Sequence, residues 1–131
     1  MAIQHKTADK RRKMGAAAMR TYPHISHSWG LKESEAALLL GVPDSTYRRW
    51  KQAPEQASLD ANHLERMSLI LGIYKALHLL LPNPESANSW LQRPNSTPLF
   101  AGHSPMERLL SGRVSDLYVV RQHLDAATPR P

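Results

Sequence analysis

The stretch LKESEAALLLGVPDSTYRRWK, residues 31–51, decides the fold of this chain. Ala36, Leu39 and Leu40 are spaced three and four residues apart, so they lie on one face of a predicted helix. Gly41 follows at a position where helices commonly end with a left-handed residue. The first half of the stretch therefore predicts a short helix that ends in a tight glycine turn.

The second half predicts another short helix, which begins near Pro43 or Asp44 because both residue types suit a first helical turn. Helical spacing places Tyr47 and Trp50 on its inner side. Two short helices joined in this way predict a helix-turn-helix that binds DNA. The outer side carries polar and basic side chains that suit contacts to DNA phosphates and base edges, namely Ser45, Thr46, Arg48, Arg49 and Lys51. The alternative is a small helical core that the two aromatic residues close and the basic residues keep soluble.

The positive charge of the chain is concentrated at its start. The 131 residues include 17 Lys and Arg against 11 Asp and Glu, a formal net charge of +6. Residues 1–20 account for +5 of this excess, because Asp9 is their single acidic residue. Such a block is either a solvated terminus or an arm that touches nucleic acid. In the second case the DNA contacts come from Lys10, Arg11, Arg12 and Lys13.

Two further helices are predicted in the N-terminal and central parts of the sequence. Residues 16–20 favour a helix, and we expect it to end before Pro23, because proline disfavours helical geometry in the residue that precedes it. A long helix is predicted from a Ser58 cap to about Leu81. This helix is apolar over most of its circumference, so we expect it in a domain core or a dimer.

The C-terminal part of the sequence contains two clear helix starts. Asn83-Pro84 predicts a capped short helix, and Ser104-Pro105-Met106-Glu107 forms a capping box with proline at the first helical position. A last helix is predicted over residues 116–126. Because no segment alternates as a strand does, the prediction is an all-α fold, with a helix-turn-helix region followed by a small helical domain.

The sequence shows no group of residues typical of an active site. The chain has no Cys, and its six Gly are scattered singly, which excludes thiolate chemistry, cysteine metal sites and a glycine-rich phosphate loop. His24 and His27 are three residues apart but have no third ligand near them in sequence. We therefore expect no catalysis, no cofactor and no metal. The first residues are too charged for a secretion signal and no segment is long enough to cross a bilayer, so we expect a cytoplasmic protein.

A proline-rich loop near the C-terminus is flanked by Trp90, Leu99 and Phe100. Large apolar side chains beside such a loop either pin it to the core or contact a partner. The two roles are compatible.

The same region carries a resemblance to a known family. Residues 90–112, WLQRPNSTPLFAGHSPMERLLSG, resemble the toxin-binding domain of the Xre/MbcA/ParS antitoxins. The positions that match its pattern are Trp90, Leu91, Pro94, Asn95, Leu99, Gly102, Ser104, Pro105, Leu109, Leu110 and Gly112. The helix-turn-helix of residues 31–51 precedes this segment, so the resemblance covers about residues 30–126.

The resemblance implies the antitoxin of a type II toxin-antitoxin pair. The toxin of such a pair has a RES fold and consumes NAD+, and the antitoxin is a helical homodimer that obstructs the NAD+ pocket and represses its own operon. We expect toxin contacts from residues of the C-terminal part, namely Trp90, Asn95, Leu99, Phe100, Arg113, Tyr118, Arg121, Arg130 and Pro131. Arg130 suits an anionic pocket, although the tail is equally compatible with an idle end.

The expected organisation is an arm or first helix over 1–20, a helix-turn-helix region over 21–57, and a dimerisation and toxin-binding domain over 58–131. The competing hypothesis is a stand-alone transcription regulator whose C-terminal domain dimerises or senses a ligand.

Overall fold

The computed structural model describes residues 2–129, with side chains described from Thr7 onward. This part of the chain is helical and contains no strand. The helices are α1 (Ala2–Ser28), α2 (Glu33–Leu40), α3 (Asp44–Gln52), α4 (Ala61–Leu80), α5 (Pro84–Ser89), α6 (Pro105–Leu109) and α7 (Val114–Ala127), with 3₁₀ turns at Pro54–Gln56 and Trp90–Gln92. The predicted all-α class, with a helix-turn-helix before a helical C-terminal domain, is confirmed.

The chain divides into two compact units, residues 1–67 and residues 68–131. Residues 58–67 group with the first unit, whereas the sequence analysis assigned them to the second domain. We call these the first unit and the second unit.

Helix α1 corrects one prediction, because it continues through Pro23 to Ser28. Tyr22 and Ile25, and Trp29 just after the helix, are buried in the first unit, and the Tyr22 hydroxyl donates a hydrogen bond of 2.7 Å to the carbonyl of Ala36. An interior proline costs about 3 kcal/mol, but each large apolar side chain gains about 1.5–3 kcal/mol on burial. Tertiary packing therefore outweighs the local penalty.

The N-terminal half of α1 also packs against the protein. Its partner is the 3₁₀ turn Pro54–Gln56, and Gly15 of α1 lies against Ala57 and Leu59, which follow that turn. The basic block of residues 10–13 is therefore part of a helix.

The turn between α2 and α3 has the predicted form. Gly41 adopts a left-handed φ of +82°, and its N–H donates to the carbonyls of Ala37 and Leu38. Arg66, near the start of α4, donates from Nη1 to the carbonyl of Leu39 at 3.3 Å. A cation at the C-terminal end of a helix is electrostatically favourable. The turn is thus fixed both by glycine and by an arginine from another helix.

Helix α4 begins later than predicted, at Ala61. The Asp60 carboxylate accepts a hydrogen bond of 2.9 Å from the backbone N–H of His63, so Asp60 takes the capping position that the sequence analysis gave to Ser58. The prediction of a Ser58 cap was wrong. Ser58 and Asp60 both carry side-chain acceptors that suit a helix start, and only one of the two can hold the N-cap position.

Two helices of the second unit, α5 and α6, start where the sequence predicted, whereas α7 starts at Val114, before the predicted Asp116. The Asn83 side chain accepts from the N–H groups of Glu85 and Ser86. Ser104 and Glu107 form the reciprocal capping box. The core of this unit is aliphatic and includes Ile70, Ile73, Leu77, Leu91, Leu109, Leu117, Val120 and Leu124.

Candidate functional site

The outward side of α3 is the first candidate surface. Ser45, Arg48, Arg49 and Gln52 are exposed and follow one another at i, i+3, i+4 and i+7, which places them on one helical face. We call this the α3 face. Tyr47 and Trp50 lie on the opposite side and are buried, with exposed fractions of 1% and 4%. The sequence analysis missed Gln52, although helical spacing from Ser45 and Arg49 is the signal that identifies it.

Two other predicted DNA contacts lie outside the α3 face. Thr46 is half-buried. The Lys51 ammonium forms an ion pair with Glu33 of α2 and lies 5.8 Å from the ring centre of Tyr47. The hydrogen bond from Lys51 is the main reason that the pKa of Glu33 is lowered. Lys51 therefore neutralises an acidic neighbour of the α3 face.

The four basic residues of α1 that were predicted to contact DNA, Lys10 to Lys13, divide into two pairs. Arg12 forms a 2.7 Å ion pair with Asp9. The pKa of Asp60 is lowered, first by the hydrogen bond from the His63 backbone and, as the weakest of several causes, by the charge of Arg11. Arg11 and Arg12 line a surface depression together with Glu55 and Leu59, so they lie on the side of α1 that faces this segment. Lys10 and Lys13 are exposed.

In the second unit, residues 95–103 form a loop closed by Asn95. Its N–H donates to the carbonyl of His103 at 3.0 Å, and its own carbonyl accepts from Gly102 at 2.8 Å. Its side-chain oxygen accepts from the N–H and the hydroxyl of Thr97 at 3.0 and 2.7 Å. Asn95, predicted as a toxin contact, is thus fully engaged in shaping what we call the clasped loop.

An aromatic cluster holds the clasped loop from inside. Phe100 is 4% exposed, and its ring packs edge-on against Trp90 at 6.0 Å and His123 at 5.5 Å. Trp90 and His123 are stacked at 6.4 Å. Phe100 pins the loop to the core, while Trp90 and Leu99 are half-buried. That Trp90, Leu99 and Phe100 contact a toxin stays a prediction.

A buried carboxylate, which the sequence analysis missed, holds the outer part of the clasped loop. Asp116 accepts hydrogen bonds from Arg108 Nε at 2.8 Å, Ser111 Oγ at 2.5 Å and Arg113 Nε at 3.1 Å. Arg108 donates in turn to the carbonyl of Leu99 at 3.2 Å. The bond from Ser111, followed by those from the two arginines, holds the pKa of Asp116 below its usual value against the effect of burial. Leu99 is therefore positioned by a chain of charged hydrogen bonds.

The remaining predicted toxin contacts lie on α7 and just before it. The Arg113 side chain is 74% exposed despite its bond to Asp116, and Tyr118 is 56% exposed. Arg121 crosses α4 above Gly72 and donates to the carbonyl of Ser68 at 3.2 Å. Arg121 thus has a packing role. Arg130 and Pro131 lie outside the described residues.

The described residues contain neither a metal-site arrangement nor a membrane-spanning helix. Within this part of the chain, no group of three His, Asp or Glu side chains has the arrangement of a metal site. Among the same residues, no helix combines the length and the apolar character needed to cross a membrane.

Comparison with known proteins assigns both units to described domains. The antitoxin Xre-like helix-turn-helix domain matches residues 11–72, and the antitoxin Xre/MbcA/ParS C-terminal toxin-binding domain matches residues 76–127. The chain is also similar to an uncharacterized protein of Sinorhizobium fredii, y4oB. The two are 41% identical over 111 residues, which span 84% of this chain and 83% of that protein. Neither domain belongs to a family of enzymes. With a helix-turn-helix and a toxin-binding domain in one polypeptide, the chain belongs to the Xre/MbcA/ParS family of type II antitoxins.

Proposed function

We propose that this protein is a cytoplasmic, non-catalytic antitoxin that blocks the NAD+ site of a RES-domain toxin and represses its own operon. The observation that carries the toxin half is the clasped loop, which belongs to a toxin-binding domain and is fixed from inside by Phe100 and from outside by Arg108. A loop held in one shape loses little entropy on binding, which favours a tight inhibitory complex. The RES fold and NAD+ chemistry of the toxin rest on the family resemblance.

The proposed toxin surface separates contact residues from positioning residues. Exposed Arg113 and Tyr118, with the half-buried Trp90 and Leu99, are available to a partner. Positioning is assigned to the residues that hold the loop or pack helices, namely Asn95, Phe100 and Arg121. Arg130 and Pro131 are proposed to extend the contact into the anionic pocket of the toxin.

Co-expression with the neighbouring toxin gene tests this proposal. We expect the wild-type chain to restore growth and to co-purify with the toxin. Arg113→Ala combined with Tyr118→Ala should weaken both effects, because the two changes remove a guanidinium and an aromatic ring, which are common anchors of interfaces. Arg20→Ala, on the first unit, is the matched control and should neutralise toxin normally. No growth rescue and no co-purification with the wild-type chain contradict the proposal.

The contribution of the tail is tested by truncation after Thr128. Thr128 is retained because its hydroxyl and N–H bond to carbonyls in the last turn of α7, so that the helix end stays intact. We expect the shortened chain to fold as the full chain does but to inhibit the toxin less well. Equal inhibition by both chains means that the tail is idle.

The DNA half of the proposal rests on the α3 face, to which the operator contacts are assigned. Arg48→Ala combined with Arg49→Ala should reduce affinity for the operator, since an arginine contact to a base edge is worth about 1–3 kcal/mol. Lys75→Ala with Arg93→Ala changes the net charge equally in the second unit and serves as the control. An unchanged gel shift of the Arg48 and Arg49 variant contradicts the role of the α3 face. DNA binding without toxin neutralisation instead supports a stand-alone regulator.

A homodimer is the third part of the proposal. Helix α4 carries Leu79 with 62% of its surface exposed, next to half-buried Leu80 and Leu81. Burying such a patch against a second copy is favourable. Mass measurement in solution should give twice the chain mass, and Leu79→Glu should shift the protein toward monomer. A monomeric wild-type protein at micromolar concentration contradicts this part.

A further inference from the structure

The outer side of α1 carries a row of cationic and imidazole side chains. Lys10, Lys13, Arg20, His24 and His27 are separated by 3, 7, 4 and 3 residues, spacings that return to the same face of a helix. All five are exposed. At 1.5 Å per residue, the row is about 25 Å long. We call it the α1 stripe.

The stripe has one acidic neighbour, because Asp9 lines the same shallow surface depression as Lys10 and Lys13. Asp9 is the only carboxylate in the first 32 residues of the sequence, and it forms the ion pair with Arg12. Arg11 and Arg12 line a separate depression together with Glu55. The stripe therefore carries three cations, Lys10, Lys13 and Arg20, against one carboxylate that Arg12 also neutralises, so its balance of charge stays positive.

The stripe and the α3 face point away from each other. Tyr22 lies on the inner side of α1 and meets Tyr47, on the inner side of α3, with ring centres 5.9 Å apart. The stripe is on the side of α1 opposite Tyr22, and the α3 face is on the side of α3 opposite Tyr47. A single straight duplex that fills the α3 face does not reach the stripe.

We infer that the α1 stripe binds the phosphate backbone of a second stretch of duplex DNA, so that one copy of the chain joins two DNA segments. A rigid row of Lys and Arg matches a linear polyanion, and lysines and arginines that neutralise phosphates bind without reading sequence. This inference rests on the proposed function only for the DNA bound at the α3 face. It also selects Lys10 and Lys13 from the four basic residues predicted at the start of the chain.

A DNA-capture assay with the full chain tests the inference. Operator duplex is fixed to beads, protein is added, and the beads are washed and offered a labelled duplex without operator sequence. Wild-type protein should retain the labelled duplex. The triple variant Lys10→Ala, Lys13→Ala, Arg20→Ala should lose at least tenfold of this capture while its operator affinity changes less than threefold.

The matched control removes the same charge elsewhere: Arg11→Ala, Arg12→Ala and Lys75→Ala together should capture the labelled duplex as the wild type does. Salt gives a second measure, since each phosphate contact contributes about 0.9 to the slope of log affinity against log salt. The stripe variant should bind non-operator duplex with a slope smaller by about 2 to 3. Circular dichroism checks that both variants are folded.

The remaining outcomes separate this inference from the proposed function. Equal capture by stripe variant and control overturns the inference and leaves the operator role of α3 intact. A loss of operator affinity as large as the loss of capture also overturns it, because both surfaces then contact one duplex. If the wild type does not recognise its operator, the DNA half of the proposed function fails. The role of the α1 stripe is then tested by direct binding of non-operator duplex to the protein. Equal affinity of the wild type and the stripe variant for this duplex overturns the inference.

Discussion

The two candidate surfaces are held in place by different forces. The α3 face is positioned by burial of Tyr47 and Trp50 in an apolar core. The clasped loop has a single buried ring, Phe100, and otherwise depends on hydrogen bonds. These are the bonds of Asn95 within the loop and the bond from Arg108, which the Asp116 carboxylate holds in place. Apolar burial is insensitive to protonation, whereas a network around one carboxylate is lost when that group is removed or protonated. The two units should therefore fail under different conditions.

The largest effect is expected from Tyr47→Ala in the first unit. Removing a buried aromatic side chain costs about 3–5 kcal/mol of unfolding free energy. Amide hydrogen exchange should accelerate over residues 36–52, and the affinity of the variant for the operator should fall in parallel. Tyr47→Phe is the control: it retains the ring and loses only the hydrogen bond with Ser26, at about 1 kcal/mol. Equal losses for the two variants contradict the view that burial of the ring positions α3.

Asp116→Asn should have the next largest effect, on the second unit. The change removes the charge that holds Arg108, Ser111 and Arg113, and hydrogen bonds to charged groups are worth about 1.5–3 kcal/mol. We expect a loss of about 2 kcal/mol in urea unfolding, with faster amide exchange in residues 95–103. Asp125→Asn, which alters an exposed carboxylate, should cost less than about 0.5 kcal/mol. A stable, toxin-competent Asp116→Asn protein contradicts the positioning role of the network.

Acid should weaken the second unit through the same residue. The pKa of Asp116 is lower in the folded protein than in the unfolded chain, so its contribution is complete above the unfolded value of about 3.9. The contribution falls as the pH drops through the folded pKa. The protection of residues 95–103 against amide exchange, taken relative to the intrinsic exchange rate at each pH, should fall below about pH 4 in the wild type, and Asp116→Asn should flatten this dependence. An unchanged profile in the variant assigns the acid sensitivity to other carboxylates.

The smallest effect is expected at Ala101, the non-glycine residue with a positive φ, of 51°, in the clasped loop. The left-handed conformation costs a residue with a Cβ about 1–2 kcal/mol, which a glycine avoids. A glycine in turn lowers the free energy of unfolding by about 0.4–1 kcal/mol, because it gives the unfolded chain more conformational freedom. Ala101→Gly should therefore raise stability by about 0.5 kcal/mol. Thermal unfolding measures this, and a loss of more than 1 kcal/mol shows that the Ala101 methyl group makes a contact that offsets its strain.

Sequence reasoning succeeded where the determinants were local. Gly41 ends a helix, and Asn83 and Ser104 each begin one, through hydrogen bonds with backbone groups of nearby residues. All three have the predicted role. The continuation of α1 through Pro23 was missed because it depends on Tyr22 packing with residues of α2 and α3, which local patterns do not show.

The candidate surfaces follow the same rule. The buried side of α3 was visible in its helical spacing. The Asp116 network was not, because it joins Arg108, Ser111 and Asp116 across two helices and a turn. Arg121 was likewise predicted as a toxin contact, and its packing on Gly72 was missed because the two residues are 49 positions apart.

The crossing of Arg121 over Gly72 has an evolutionary consequence. A methyl group at position 72 would occupy the space that the guanidinium and the last methylene of Arg121 now fill. The two positions should therefore change together in related sequences. Relatives with a larger residue in place of Gly72 should carry a short side chain in place of Arg121, and those that keep the arginine should keep the glycine. Counting such pairs among homologues would reveal whether this packing arrangement is older than the divergence of their toxin partners.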